Sequence, residues 1–128
     1  MAESGSGNFD KKFRLLSASD FSELKVDSLS YKKPSLIIYY KKNPYNQTRI
    51  GLSVTKKLGK AHDRNRLKRL IREYFRNSPY KFLGADILFV VSWNRSLVNE
   101  SQEVKEQTLL KNLEEFFVYL EGLVRKHQ

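Results

Sequence analysis

The spacing of hydrophobic residues along the chain predicts the order of its secondary-structure elements. A short first helix is expected over residues 18–26, where Phe21 and Leu24 stand at helical spacing. Ser17 begins a capping pattern that Asp20 completes, which marks the start of this helix. The structured part of the chain is therefore expected to begin with a helix.

Extended segments follow the first helix. SLIIYYKK (35–42) is rich in Ile and Tyr, and RIGLSVT (49–55) alternates apolar with polar residues, so both are predicted strands. The turn residues NPYNQT (43–48) lie between them, and we expect the two strands to pair as a hairpin. DILFVVSW (86–93) is a continuous apolar run, typical of a strand that is covered on both faces.

Two further helices complete the pattern. One follows Gly59, with Asp63 or the residues just before it as its cap, and ends before Pro79, because proline disfavours helical geometry in the preceding residue. Leucines and phenylalanines at spacings of three and four predict a long amphipathic helix over 101–126. The order is helix, two or three strands, helix, strand, helix. It predicts an α+β fold, a two-layer α/β sandwich with helices packed on a single mixed sheet.

Length and composition restrict the possible classes of protein. The 128 residues are enough for one domain with a hydrophobic core, and the absence of cysteine excludes disulfides, thiolate metal sites and cysteine nucleophiles. The chain has no apolar run of about 18 residues and no secretion signal pattern, so we expect a cytoplasmic protein. Residues 1–8 are small, polar and rich in Gly and Ser, and are expected to be a disordered tail before a single domain over 9–128.

Positive charge is concentrated around the second predicted helix. Residues 56–76 carry nine Lys or Arg side chains and two acidic ones, which is +7 of the chain's net +10. At about 100° per residue, the apolar side chains of this helix fall within one arc of roughly 140° and the basic ones fill the opposite arc. The apolar arc contains Leu67, Leu70, Ile71, Tyr74 and Phe75.

Such a one-sided array of cations favours an anionic partner. Six cations and one acid over 64–76 repel one another unless a polyanion neutralises them, and nucleic acid is the favoured candidate. A solvated helix face and a membrane surface remain alternatives, although the domain's own core needs the apolar arc. A DNA-reading helix-turn-helix is disfavoured because a strand, 49–55, stands where its first helix should be.

The same segment resembles a known family. RIGLSVTKKLGKA, followed by RNR and then LKRLIRE, closely resembles the signature of the bacterial ribonuclease P protein family. The resemblance extends over most of the chain, from Asp20-Phe21 to Asp86. It differs at His62, where the family commonly has valine, and at Lys25, where members can carry an aromatic residue. It implies a fold similar to a domain of a ribosomal protein, with a left-handed β-α-β crossover through the basic helix.

The resemblance also implies a function. Members of the family bind a large catalytic RNA and assist it in the endonucleolytic removal of the 5′ leader from precursor tRNA. The RNA, with its bound Mg²⁺, performs the hydrolysis, so no cofactor is expected on the protein alone. The implied partners are the catalytic RNA subunit and precursor tRNA, with no membrane and no small-molecule substrate. A ribosomal or ribosome-associated RNA-binding protein is the alternative, and a DNA-binding module comes third.

The resemblance assigns site residues as well. Phe21 and Tyr39 would form the aromatic floor of a cleft for the single-stranded leader between the first helix and the sheet, with Arg49 nearby. Aromatic rings stack on any base, worth about 1–3 kcal/mol each, which suits a leader of variable sequence. Core packing is the alternative for both rings, and strand alternation does not say whether Tyr39 or Tyr40 faces the cleft. The residues expected to contact the catalytic RNA are Lys56, Lys57, Lys60, Arg64, Asn65, Arg66, Lys68, Arg69, Arg72 and Arg76.

A catalytic site made of protein side chains is not predicted. The acids before residue 100 are scattered singly, whereas a two-metal nuclease needs clustered carboxylates. General acid-base cleavage would use two cooperating histidines, and the chain has His62 and the penultimate His127. Trp93, after the last predicted strand, is interpreted as a packing residue. We therefore expect no catalytic and no metal-binding residues.

Overall fold

A computed structural model describes residues 18–126 of the chain, which form one four-stranded sheet with α-helices on both of its faces. The predicted α+β fold is confirmed, and the first helix has the predicted bounds. The predicted tail at 1–8, the Ser17 cap and His127 lie outside the described residues. The elements are α1 (Ala18–Val26), β1 (Leu29–Lys33), β2 (Leu36–Lys42), β3 (Arg49–Ser53), α2 (Ala61–Arg76), β4 (Ala85–Val91) and α3 (Gln102–Lys126), with short 3-10 turns at Lys56–Leu58 and Tyr80–Phe82.

The sheet has the strand order β1-β2-β4-β3. β1 and β2 form an antiparallel hairpin, and β4 runs antiparallel to β2 and parallel to β3. The predicted hairpin between the strands at 35–42 and 49–55 is therefore wrong, because β4 lies between them. β3, α2 and β4 do form a β-α-β unit with adjacent parallel strands. The left-handed sense that the resemblance implies for this crossover stays a prediction.

The continuous apolar run of β4 explains its central position. Ile87 and Phe89 are fully buried in the main core, on the face of the sheet that α2 and α3 cover. Leu88 is fully buried on the opposite face, against Leu24 of α1. Because alternate residues of a strand point to opposite faces, a strand that is apolar at every position is most stable in the middle of a sheet covered on both sides.

The main core is rich in aromatic rings supplied by α3. Phe116 and Phe117 are fully buried, and their ring centroids lie 5.3 Å apart in an edge-to-face arrangement. Phe117 also stacks on Tyr80 at 4.9 Å and lies 6.0 Å from Phe75 of α2. Edge-to-face and stacked pairs of this kind add to the stabilisation that burial alone provides. The basic helix is thus fixed to the body of the protein by its apolar side.

That apolar side is narrower than the sequence predicted. Leu67, Ile71 and Phe75 are buried, whereas Leu70 and Tyr74 are partly exposed. The latter two line a surface groove between α2 and α3. Leu67 is therefore a fully buried core residue of α2, whereas Leu70 lies at the edge of the buried side.

The start of α2 agrees with one of the two predicted alternatives. Its N-cap is Lys60, one of the residues just before Asp63; the Lys60 side chain makes no capping hydrogen bond among the described residues, and Asp63 lies in the first helical turn. An acidic side chain there still interacts favourably with the helix dipole. Within residues 18–126, no helix is both long and apolar enough to cross a bilayer.

Candidate nucleic-acid interface

The predicted RNA-contacting residues lie on the 3-10 turn and the outward side of α2. All ten have partly or fully exposed side chains. Gly59 joins the turn to the helix with a backbone φ of 130°, a value that favours glycine. Arg64 donates a hydrogen bond from Nε to the Gly59 carbonyl at 3.2 Å, which fixes the helix entry. The surface that results is dense in cations, as the sequence predicted.

Arg69 and Arg66 of this surface each have an acidic partner. Arg69 lies 3.7 Å from Glu73 on the same helix, the pair expected from their spacing. Arg66 pairs with Glu106 of α3, donating from Nε at 2.7 Å and from Nη2 at 2.9 Å. The hydrogen bonds from Arg66 lower the pKa of the Glu106 carboxyl, and they raise the pKa of the Arg66 guanidinium in turn. The sequence analysis did not predict Glu106 as the partner of Arg66. The two residues are 40 positions apart on different helices, and helical spacing predicts only pairs within one helix.

His62 stands at the first turn of α2, beside this basic surface. Its side chain is 89% exposed, and Nδ1 lies 3.2 Å from Asp63 Oδ1. Among residues 18–126, no three His, Asp or Glu side chains come together in a group that could hold a metal ion.

Trp93 packs against the main core, as interpreted, and the ammonium of Lys105 lies 5.7 Å from the centre of its ring.

A second site is formed by the face of the sheet that carries α1. Phe21 of α1, Tyr39 of β2 and Val90 of β4 each pack against the buried side chains of Leu24 and Leu88. The rings of Phe21 and Tyr39 are themselves only partly buried, so both border solvent. The structure therefore brings together the two aromatic residues predicted for the cleft.

The neighbouring tyrosine has a different environment. Tyr40 points into the main core, is 5% exposed, and lies with its hydroxyl 2.8 Å from that of Tyr119. Strand alternation therefore places Tyr39 on the face of α1 and Tyr40 on the face of α3. Of the two candidates that the sequence left open, Tyr39 is on the partly open face.

Arg49 of β3 lies on the same face but is held by other residues. Its Nε and Nη2 donate to the two carboxylate oxygens of Asp86 at 2.8 and 2.7 Å, and both side chains are 17% exposed. These hydrogen bonds raise the pKa of Arg49. Asn43 donates to the same carboxylate at 2.9 Å, and the Tyr45 ring lies 5.0 Å from the guanidinium. Arg49 is therefore mostly covered, and the group that it forms with Asp86, Asn43 and Tyr45 joins the β2–β3 loop to β4.

Comparison with known proteins identifies the family. The family model described as Ribonuclease P matches residues 9–120. The ribonuclease P protein component of Streptococcus pneumoniae is 34% identical over 112 residues, 88% of this chain and 90% of the relative. That of Pasteurella multocida is 42% identical over 84 residues, 65% of this chain and 71% of the relative. The structure of the RNase P protein from Thermotoga maritima in complex with 1-(4-fluorophenyl)-2-thiourea aligns with a TM-score of 0.69 at 31% identity, covering 81% of this chain and 96% of that one. The chain therefore belongs to the bacterial ribonuclease P protein family.

Proposed function

We propose that this protein docks on the catalytic RNA of ribonuclease P through α2 and the preceding 3-10 turn, and assists removal of the 5′ leader from precursor tRNA. The observation that carries the proposal is the division of α2 into two sides. Leu67, Ile71 and Phe75 are buried in the core, while the ten predicted contact residues are exposed to varying degrees. The buried side fixes the helix, and the basic side is left for a polyanion.

The composition of the basic side suits RNA phosphates. Arginine offers a planar fork that can bind a phosphate through two hydrogen bonds, and lysine offers a compact charge. Both residue types are present: lysines lie on the turn, at the helix N-cap and at position 68, and five arginines lie along the helix. Contacts of this kind release counterions from the RNA, so they supply affinity without reading the sequence.

The leader would lie on the partly open face of the sheet. Tyr39 and Phe21 expose ring surface beside α1, and a base can stack on such a ring whatever its identity. For Arg49 we propose a supporting role. Its two hydrogen bonds to Asp86, which also accepts from Asn43, and its contact with the Tyr45 ring hold the β2–β3 loop at one end of this face.

We expect the hydrolysis itself to be performed by the RNA with its Mg²⁺, as membership of the family implies. His62 is the single histidine among residues 18–126, and it contacts the solvent-exposed carboxylate of Asp63. General acid-base cleavage would use a second positioned group across the scissile phosphate. The proposed role of the protein is therefore to bind and position RNA.

Affinity for the ribonuclease P RNA of the same genome tests the docking step. With six to eight phosphate contacts, binding should weaken by about 10³-fold between 50 and 200 mM monovalent salt. A ribosomal RNA fragment of similar length serves as the control, and it should bind more weakly at every salt concentration. A flat salt response would refute docking through the basic side. Tighter binding to ribosomal RNA would favour a ribosome-associated protein instead.

Cleavage of precursor tRNA by the reconstituted complex tests the function as a whole. Adding the protein to the RNA should raise the rate of leader removal at low Mg²⁺, because bound cations reduce repulsion between the two RNAs. The protein without the RNA should leave the precursor intact. Leader removal by the protein alone would contradict the proposal.

A further inference from the structure

Arg66, at the centre of the basic surface, is held by an acid from another helix. Its Nε and Nη2 donate side-on to the two carboxylate oxygens of Glu106, and Gln102 donates to the same carboxylate at 3.3 Å. The side chain of Arg66 is 47% exposed, whereas that of Glu106 is 13% exposed. The Glu106 side chain as a whole is therefore much less exposed than that of its partner Arg66.

This arrangement leaves part of the guanidinium for a ligand. An arginine side chain carries five N–H donors, and Glu106 takes one from Nε and one from Nη2. The other three, two on Nη1 and one on Nη2, form the end of the fork. A phosphate can bind that end through two hydrogen bonds without displacing Glu106.

We propose that Glu106 is a positioning residue for RNA docking: it fixes Arg66 in the orientation in which the free end of the guanidinium meets a phosphate. This inference rests on the proposed function. A free arginine loses rotamer entropy when a ligand immobilises it, and Arg66 is already ordered by its fork to Glu106. Moving Arg66 away would break both of its hydrogen bonds to Glu106, which further restricts the side chain.

Charge alone predicts the opposite effect of removing Glu106 on RNA affinity. An acid next to a polyanion repels it, so removal of any carboxylate near the docking surface should strengthen RNA binding. Glu103 provides a matched control because it is an exposed acid on the same helix, hydrogen-bonded to Gln107 at 3.4 Å. Replacing Glu103 or Glu106 removes the same charge, but only the second replacement releases Arg66.

The experiment compares Glu106→Ala, Glu106→Gln, Glu103→Ala, Arg66→Ala and the double variant Arg66→Ala/Glu106→Ala. Affinity for the ribonuclease P RNA of the same genome is measured at two salt concentrations, with the melting temperature of each variant. Glu106→Ala should weaken binding about 2- to 10-fold, the cost of immobilising one flexible side chain. Glu106→Gln should lose less, because its amide oxygen still accepts one hydrogen bond from Arg66. Glu103→Ala should bind as tightly as the wild type or slightly tighter.

The double variant separates positioning from a general effect on folding. In the Arg66→Ala background, Glu106→Ala should cause no further loss of affinity, since the side chain that it positions is gone. Equal losses in both backgrounds would overturn the inference, and so would unchanged or tighter binding by Glu106→Ala.

The same set distinguishes the inference from the function on which it rests. A wild-type protein that fails to bind this RNA refutes both. An Arg66→Ala variant that binds normally refutes the positioning role alone, because Arg66 then contributes no phosphate contact. Normal wild-type binding, weakened by Arg66→Ala and unaffected by Glu106→Ala, refutes the positioning role alone.

Discussion

Replacement of Tyr39 by alanine is the sharpest test of the proposed leader cleft. The ring is partly exposed and, like that of Phe21, packs against the buried pair Leu24 and Leu88, so we expect it to offer a stacking surface to one base. The loss of that stack should weaken binding of precursor tRNA to the reconstituted holoenzyme by about 1–3 kcal/mol, or roughly 5- to 150-fold in Kd. Mature tRNA, which has no leader, should bind with nearly unchanged affinity. The measurement is the ratio of the two dissociation constants.

Conservative variants at two adjacent positions supply the controls. Tyr39→Phe keeps the ring and should keep most of the affinity for the precursor. Tyr40→Phe removes the hydroxyl that lies 2.8 Å from Tyr119, so it should lower the free energy of unfolding by about 0.5–1.5 kcal/mol and leave the affinity ratio unchanged. Tyr39→Ala also uncovers part of Leu24 and Leu88, so a somewhat lower melting temperature is expected and does not decide the question. An equal loss of affinity for both forms of tRNA would refute stacking of the leader on Tyr39.

Other variants test the remaining assignments. Leu67→Ala should lower the free energy of unfolding by about 2–5 kcal/mol in urea titrations, whereas Arg69→Ala should change it by less than about 1 kcal/mol. A larger loss of stability for Arg69→Ala than for Leu67→Ala would mean that the two sides of α2 are misassigned. Asp86→Asn should cost about 1–3 kcal/mol in the same assay, because Arg49 loses its charged partner, and an unchanged midpoint would contradict the anchoring role of the pair. His62→Ala should leave single-turnover cleavage by the complex within a few-fold of the wild type; a loss of 10²-fold or more with normal binding would indicate a general acid or base.

The elements of this fold were predictable where a local pattern determines them. The helices at 18–26 and 101–126 follow from spacings of three and four, and β4 follows from its apolar run. The pairing of β2 with β3 was predicted wrongly, because a turn between two strands does not reveal a third strand that inserts between them. The apolar run of β4 itself predicts the observed order, since a strand covered on both faces is expected in the centre of a sheet rather than at its edge.

In the candidate site, the contacts within one helix could be predicted from the sequence, whereas the contacts between elements could not. The basic side of α2 follows from helical periodicity, and the pairing of Arg69 with Glu73 follows from their spacing. The partners of Arg66 and Arg49 are 40 and 37 residues away, so tertiary structure alone brings them together. The choice between Tyr39 and Tyr40 likewise depended on which face of β2 the long helix covers.

The strand order has a consequence for how the protein is made. β4 occupies the centre of the sheet but is the last strand to leave the ribosome, and within the described sheet it is the sole partner of β3. The first hairpin, β1 with β2, can form early, whereas the core that covers the apolar side of α2 is incomplete until α3, about 37 Å long, has been made. Pairing between segments distant in the chain is slow to form, and exposed apolar surface is aggregation-prone in the interval. A nascent chain should therefore acquire its rigid basic surface only after β4 and α3 have been synthesised.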